Sequence, residues 1–199
     1  MEDIKHVNES LSRRGFKSCI VPDGQSALEA ALGIIGGGSV GIGGSLTVKE
    51  LGLYEALKER GNAVYWHWTD GAAAKARAAA ADYYVCSANA VTRDGVIALT
   101  DGSGNRIAAL SSGPRNAILV IGSNKIVADG REAFMRMRSA GCAGANAKRL
   151  GLHTPCAEYG ECDDCASPER ICSVTAFFER PSKGLENTYV ILVDRNMGL

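Results

Sequence analysis

The chain has 199 residues, with 22 lysines and arginines against 22 aspartates and glutamates and 46% hydrophobic residues. That balance excludes a disordered chain, and no basic excess or run of like charge points to a nucleic-acid partner. A chain this long can bury a full core, so the expectation is one domain over 1–199 that needs no disulfide or metal merely to fold.

The opening segment MEDIKHVNESLSRRG reads as an amphipathic helix without the apolar core of a secretory signal. No apolar stretch approaches the roughly 18 residues of a membrane span, which makes a cytoplasmic protein the expectation. SVGI (39–42) is a short strand after three glycines. It leads into SLTVKELGLYEALKER, where Leu46, Leu53 and Leu57 recur at helical spacing and Ser45 is placed to cap the helix. AVYWHW (63–68) reads as a strand, GAAAKARAAAAD as a helix and DYYVCSAN (82–89) as a strand. VIALT (96–100) and RIAAL (106–110) flank DGSGN and read as a hairpin. AILVIGSN (117–124) is a buried strand, and REAFMRMRSAGCAGANAKRL a long helix interrupted by glycines. VTAFF and TYVILVD (188–194) return to strand.

Strands alternating with helices predict an α/β fold with a mostly parallel sheet flanked by helices. In such sheets ligands collect beyond the C-terminal ends of the strands. The polar groups at those ends are Gly43, Gly44 and Ser45; Asn89; Asp101 with Asn105; and Asn124 with Lys125. GIGGS opening a helix suits an anion or a carboxylate, and serves equally well as a tight strand–helix turn. Asn89, Thr92 and Asp94, with Asp101, Asn105 and Arg106, offer carboxylate, amide and guanidinium groups for a hydroxy acid or a phosphate. The competing reading makes DGSGN a plain turn and Lys125 a solvated lysine. His67, between two tryptophans, reads as a packed strand residue.

Four of the seven cysteines fall in one stretch, at about 153–173, with the spacing C-x5-C-x2-C-x6-C: Cys156, Cys162, Cys165 and Cys172. In a reducing compartment such a run is not a disulfide framework. A CxxC pair grips one centre without strain, and two flanking cysteines complete a four-thiolate site. An iron–sulfur cluster is the leading reading, with zinc and metal-free thiols as alternatives. His153 stands close enough in sequence to support the site from outside. Cys19 and Cys86 read as small buried hydrophobes, and Cys142, between Gly141 and Ala143, as a point of close packing.

VGIGGSLTVKELGL, SANAVTRDG, DGSGNRIAAL, IGSNKIV and TPCAEYGECDDCASPERIC together resemble, in this order, the LUD family of lactate-utilisation proteins. The resemblance runs over about residues 39–199. It departs in SAGCAGANAKRL, which has Gly-Cys-Ala-Gly where an alanine–proline stretch is common. It implies the fold of ribose-5-phosphate isomerase, glucosamine-6-phosphate deaminase and the CoA transferases. It also implies a role in oxidising L-lactate or a related 2-hydroxy acid, with iron–sulfur partner proteins. The implied pocket comprises Gly43, Gly44, Ser45, Asn89, Asp101, Asn105 and Arg106, with Lys125 as a second cation for a small carboxylate. Asp94, Asp101, Arg106 and Lys125 are the catalytic candidates. Two other roles stay open: an enzyme of the related fold acting on a sugar phosphate or CoA thioester, and a non-catalytic assembly subunit with a structural metal loop. The oligomeric state is open as well.

Overall fold

The computed structural model describes residues 2–199. The first half of the chain runs α1 (Glu2–Arg13), β1 (Lys17–Val21), α2 (Gly24–Ile35), β2 (Val40–Ile42), α3 (Leu46–Glu50), α4 (Leu53–Glu59), β3 (Val64–Trp66), α5 (Ala74–Ala79) and β4 (Tyr83–Cys86). Next come β5 (Ala90–Thr92), β6 (Ile97–Asp101), α6 (Asn105–Ser111), β7 (Asn116–Gly122) and β8 (Ile126–Val127). The chain closes with α7 (Gly130–Met137), α8 (Ala145–Arg149), α9 (Pro155–Glu158), β9 (Val174–Phe178) and β10 (Asn187–Val193).

Six strands form an all-parallel sheet in the order β1-β10-β7-β4-β2-β3. β7 lies inside it and is buried along its whole length, which is why NAILVIG is an unbroken apolar run rather than an alternating one. Successive β7 residues serve opposite faces. Leu119 and Ile121 meet Ile4, Val7 and Leu11 of α1. Ile118 and Val120 meet Ala27, Ala31 and Ile35 of α2 and Leu53 and Leu57 of α4. Four further strands form a mixed sheet, β8-β5-β6-β9, whose β5, β6 and β8 pack with Ala133 and Met137 of α7 through Ala90, Ala98 and Val127. Among the described residues no helix is long and apolar enough to cross a membrane.

Four local expectations change. RIAAL is not a strand: it lies in α6, and the partners of β6 are β5 and β9. Gly104, at φ +70°, turns the chain, and the Asp101 carboxylate then accepts the backbone N–H groups of Arg106 (2.9 Å) and Ile107 (3.1 Å). A helix start with its donors satisfied by an acidic side chain is favoured over a second strand. The helix expected to follow Ser45 divides into α3 and α4 at Leu51–Gly52. The long helix after β8 divides at Met137, and a π-helical turn, Ala140–Gly144, carries the chain into α8. Cys19 is exposed on β1, an edge strand, and not buried.

Candidate functional site

A cleft with about 560 Å³ of empty space, its open mouth included, lies at the C-terminal ends of the strands. Gly44, Ser45 and Thr47 enter it after β2, Ser87 and Asn89 after β4, and Lys125 after β7. Thr100 and Arg106 come from the β6–α6 junction, and Cys142 and Ala143 from the π-helical turn. Trp68, Asn146, Ile171 and Leu199 complete the wall. Ser45 has a local duty as well: its Oγ accepts the Val48 N–H at 3.2 Å and caps α3, as expected.

Lys125 is 3% exposed and not a solvated lysine. The short 3-10 turn Ser123–Lys125 at the end of β7 fixes its backbone. Nζ donates to Thr47 Oγ1 and to Ser87 Oγ, both at 2.9 Å. Among the described residues no carboxylate pairs with it. Burial, aided by the nearby Arg136 charge, lowers its pKa to about 7. Near neutral pH a large fraction of this amine is therefore unprotonated.

Arg106 and Asp101 form a buried pair. Arg106 Nε donates to Asp101 Oδ1 (2.7 Å), Nη1 to the Ser87 carbonyl (3.2 Å), and Nη2 to Asn89 Oδ1 (3.1 Å) and the Thr100 carbonyl (2.7 Å). Of the five N–H donors of a guanidinium, one on Nη1 is left for a ligand. Asn89 is held between two elements: its Oδ1 also accepts the Thr100 N–H, and its Nδ2 donates to Cys142 Sγ at 3.2 Å.

The cleft thus gathers Gly44, Ser45, Asn89, Arg106 and Lys125, with Asp101 directly behind Arg106. Gly43 and Asn105 do not line it. Gly43 accepts the Trp66 Nε1–H through its carbonyl, and Asn105 donates to the Tyr84 hydroxyl. Asp94 is not brought to this edge: it lies on the β5–β6 turn, where its carboxylate accepts from Thr92 Oγ1 and Arg14 Nη2. The hydrogen bond from Thr92, with the Arg14 contact, lowers its pKa. Thr47, Ser87 and Cys142 are among the lining groups that sequence reasoning missed. A hydroxyl two residues beyond the capping Ser45 was the available signal for Thr47.

Cys156, Cys162, Cys165 and Cys172 line a second, shallow pocket together with Arg138, Asp164 and Arg170. Arg170 ties the loop from within, donating to the carbonyls of Cys165 (2.9 Å) and Cys172 (3.4 Å) and pairing with Asp164 at 2.7 Å. Arg138 pairs with the same carboxylate at 2.8 Å and anchors it to α7. Both guanidinium contacts hold the Asp164 carboxyl below its usual range, that from Arg170 most. A Cβ on Gly144 would fall 2.5 Å from the Cys156 carbonyl oxygen, so a residue without a side chain lets the π-helical turn lie against α9. His153 does not line the pocket; it is exposed and turned to Glu158. Among the described residues no three His, Cys, Asp or Glu side chains are gathered around one point as a single metal ion requires. Ala143 lines both, so the cleft and the cysteine pocket share a residue of their walls.

The chain has a fold similar to that of the crystal structure of a DUF162 family protein from Deinococcus radiodurans, at 17% identity and a TM-score of 0.58, over 97% of each chain. No curated protein matches it. The LUD domain model matches residues 4–193, beginning well ahead of the segments that carry the sequence resemblance. With nearly its whole length matched, the chain belongs to the LUD domain family, a family associated with lactate utilisation.

Proposed function

We propose that this LUD protein binds a small 2-hydroxy or 2-oxo carboxylate, L-lactate foremost, in the Lys125 cleft and supports its oxidation beside an iron–sulfur cluster. The observation that carries this reading is the shared wall: Ala143 lines both the cationic cleft and the pocket of four cysteines.

The residues present fit a cluster better than a single ion. Zinc holds its sulfurs at about 2.3 Å from one point, an arrangement that calls for four thiols already converged. Here the four cysteines line one pocket without converging on a point, and their all-thiolate chemistry suits the ligation of a multi-iron centre. Cys156, Cys162, Cys165 and Cys172 would hold it, and Arg170 and Arg138 fix the loop that presents them. When bound, such a centre supplies one-electron transfer, so iron–sulfur partner proteins would take up the two electrons of a hydroxy-acid oxidation.

The protein's own groups account for binding and for one proton. The Arg106 guanidinium, with one Nη1 hydrogen free, supplies the positive charge that a carboxylate needs. Unprotonated Lys125 Nζ, steadied by Thr47 and Ser87, accepts the proton of the C2 hydroxyl. Trp68 and Ile171 narrow access to water. A sugar-phosphate or CoA-thioester enzyme would instead need a free carboxylate here. Both Asp101 oxygens are committed to Arg106 and Ile107, and Asp94 is elsewhere.

The test is anaerobic purification with iron, sulfide and zinc assays, followed by calorimetric titration with L-lactate and with pyruvate. Iron with sulfide, and carboxylate binding that Lys125→Met abolishes, are the expected results. One zinc per chain with no carboxylate binding would overturn the reading and leave a structural metal loop.

A further inference from the structure

We propose that Lys125 captures 2-oxo acids covalently, its Nζ condensing with the C2 carbonyl of a molecule such as pyruvate to form an imine in the cleft. The inference deepens the reading of this cleft as a site for 2-hydroxy and 2-oxo acids and rests on it for the class of ligand.

Three features point the same way. Lys125 is buried and contacts two hydroxyls, Thr47 Oγ1 and Ser87 Oγ, rather than a counter-ion. Its charged and titratable neighbours are Arg136, Arg106, Cys142 and Glu50, and its amine is held partly neutral at physiological pH, as a nucleophile requires. Lys125 also lines an open cleft and does not lie in the sealed core. Geometry supplies the last link. A group placed to hydrogen-bond the oxygen on C2 of a hydroxy acid is next to C2 itself, and in the oxo acid that carbon is electrophilic.

The chemistry balances without an oxidant or reductant. The Nζ lone pair adds to C2, the C=O π pair moves to oxygen, and proton transfer from nitrogen to oxygen gives a carbinolamine. Loss of that hydroxyl as water, with the second N–H proton, leaves the C=N bond. The hydroxyls of Thr47 and Ser87, each 2.9 Å from Nζ, are placed to relay both protons.

The experiment treats the full-length protein with pyruvate and cyanoborohydride, which reduces the imine to a stable secondary amine, and maps the product by peptide mass spectrometry. The expected result is one adduct, of pyruvate less water plus two hydrogens, on the peptide carrying Lys125. L-Lactate, which has no ketone carbonyl at C2, should give none. Ser87→Ala, which keeps the amine, should slow trapping about 100-fold, the low end of the usual size of a lost proton-transfer group. Adducts spread over exposed lysines, or none at Lys125, would overturn the proposal, and because the site is mapped on the unaltered protein this outcome does not depend on a variant folding. The two readings also fail separately. Carboxylate binding and iron without trapping removes the imine alone, whereas trapping at Lys125 in protein that holds no iron and ignores L-lactate retains the imine and removes the oxidation.

Discussion

Asp101 accepts from two backbone N–H groups and from the Arg106 guanidinium, while buried almost completely. Replacing it with asparagine keeps the shape and removes the charge, leaving Arg106 buried without compensation. Asp101→Asn is therefore expected to lose about 3–5 kcal/mol, the usual cost of breaking a buried pair from one side. A lowered urea midpoint at unchanged slope would show it. Lys125 argues in the opposite direction. Its pKa is about 7 in the folded chain against 10.5 for an ordinary lysine. Between those values the unfolded chain binds a proton that the folded chain does not, so stability rises as pH climbs from 7 toward 10.5 and is lowest at and below 7. Lys125→Met should therefore be more stable than the parent by about 2 kcal/mol near pH 6.5, with Thr47 and Ser87 losing a partner as a partial offset, and the gap should shrink by pH 9.5. Urea unfolding at the two pH values tests this. A residue kept at a cost in stability is the mark of a site selected for function.

The elements show why some of this was legible in the sequence and some was not. The cysteine stretch is local: all four cysteines lie in one run, and all four line one pocket. Ser45 as a cap was equally local. The DGSGN–RIAAL segment misled because glycines between apolar runs serve a hairpin and a strand–helix turn alike. The deciding group, the Asp101 carboxylate over the first turn of α6, acts across the turn rather than within either run. The Lys125 contacts were out of reach for a different reason. Thr47, Ser87 and Lys125 lie after β2, β4 and β7, and only the sheet order places those three strands side by side. Gly144 is the point where one element constrains another. Gly144→Val would drive the π-helical turn against the Cys156 carbonyl. The expected cost is about 1–3 kcal/mol, as for other overpacked contacts, with less of the proposed iron bound per chain while the strands keep their circular dichroism. Iron assay and far-ultraviolet spectra on the same sample would decide it.

At the scale of the whole molecule, the packing separates what holds the fold from what equips it. The three apolar clusters draw on α1 to α7 and the strands of both sheets, and none contains a residue of the 153–173 loop. That loop is held by ion pairs of Asp164 with Arg138 and Arg170 and by carbonyl contacts, most of them near solvent, which contribute little to global stability. Small metal domains behave otherwise, because binding free energy there is folding free energy. In this chain, replacing Cys156, Cys162, Cys165 and Cys172 together with serine should abolish the proposed iron binding yet leave the thermal midpoint within about 4 °C, the shift expected for about 1 kcal/mol in a chain of this size. Hydrogen exchange should quicken in the loop and in α9 and stay slow in β7 and β10, since local opening follows the density of buried contacts. A collapse of the midpoint in the serine variant would mean that the cysteine loop staples the fold. Its place beside the cleft would then reflect packing rather than electron transfer.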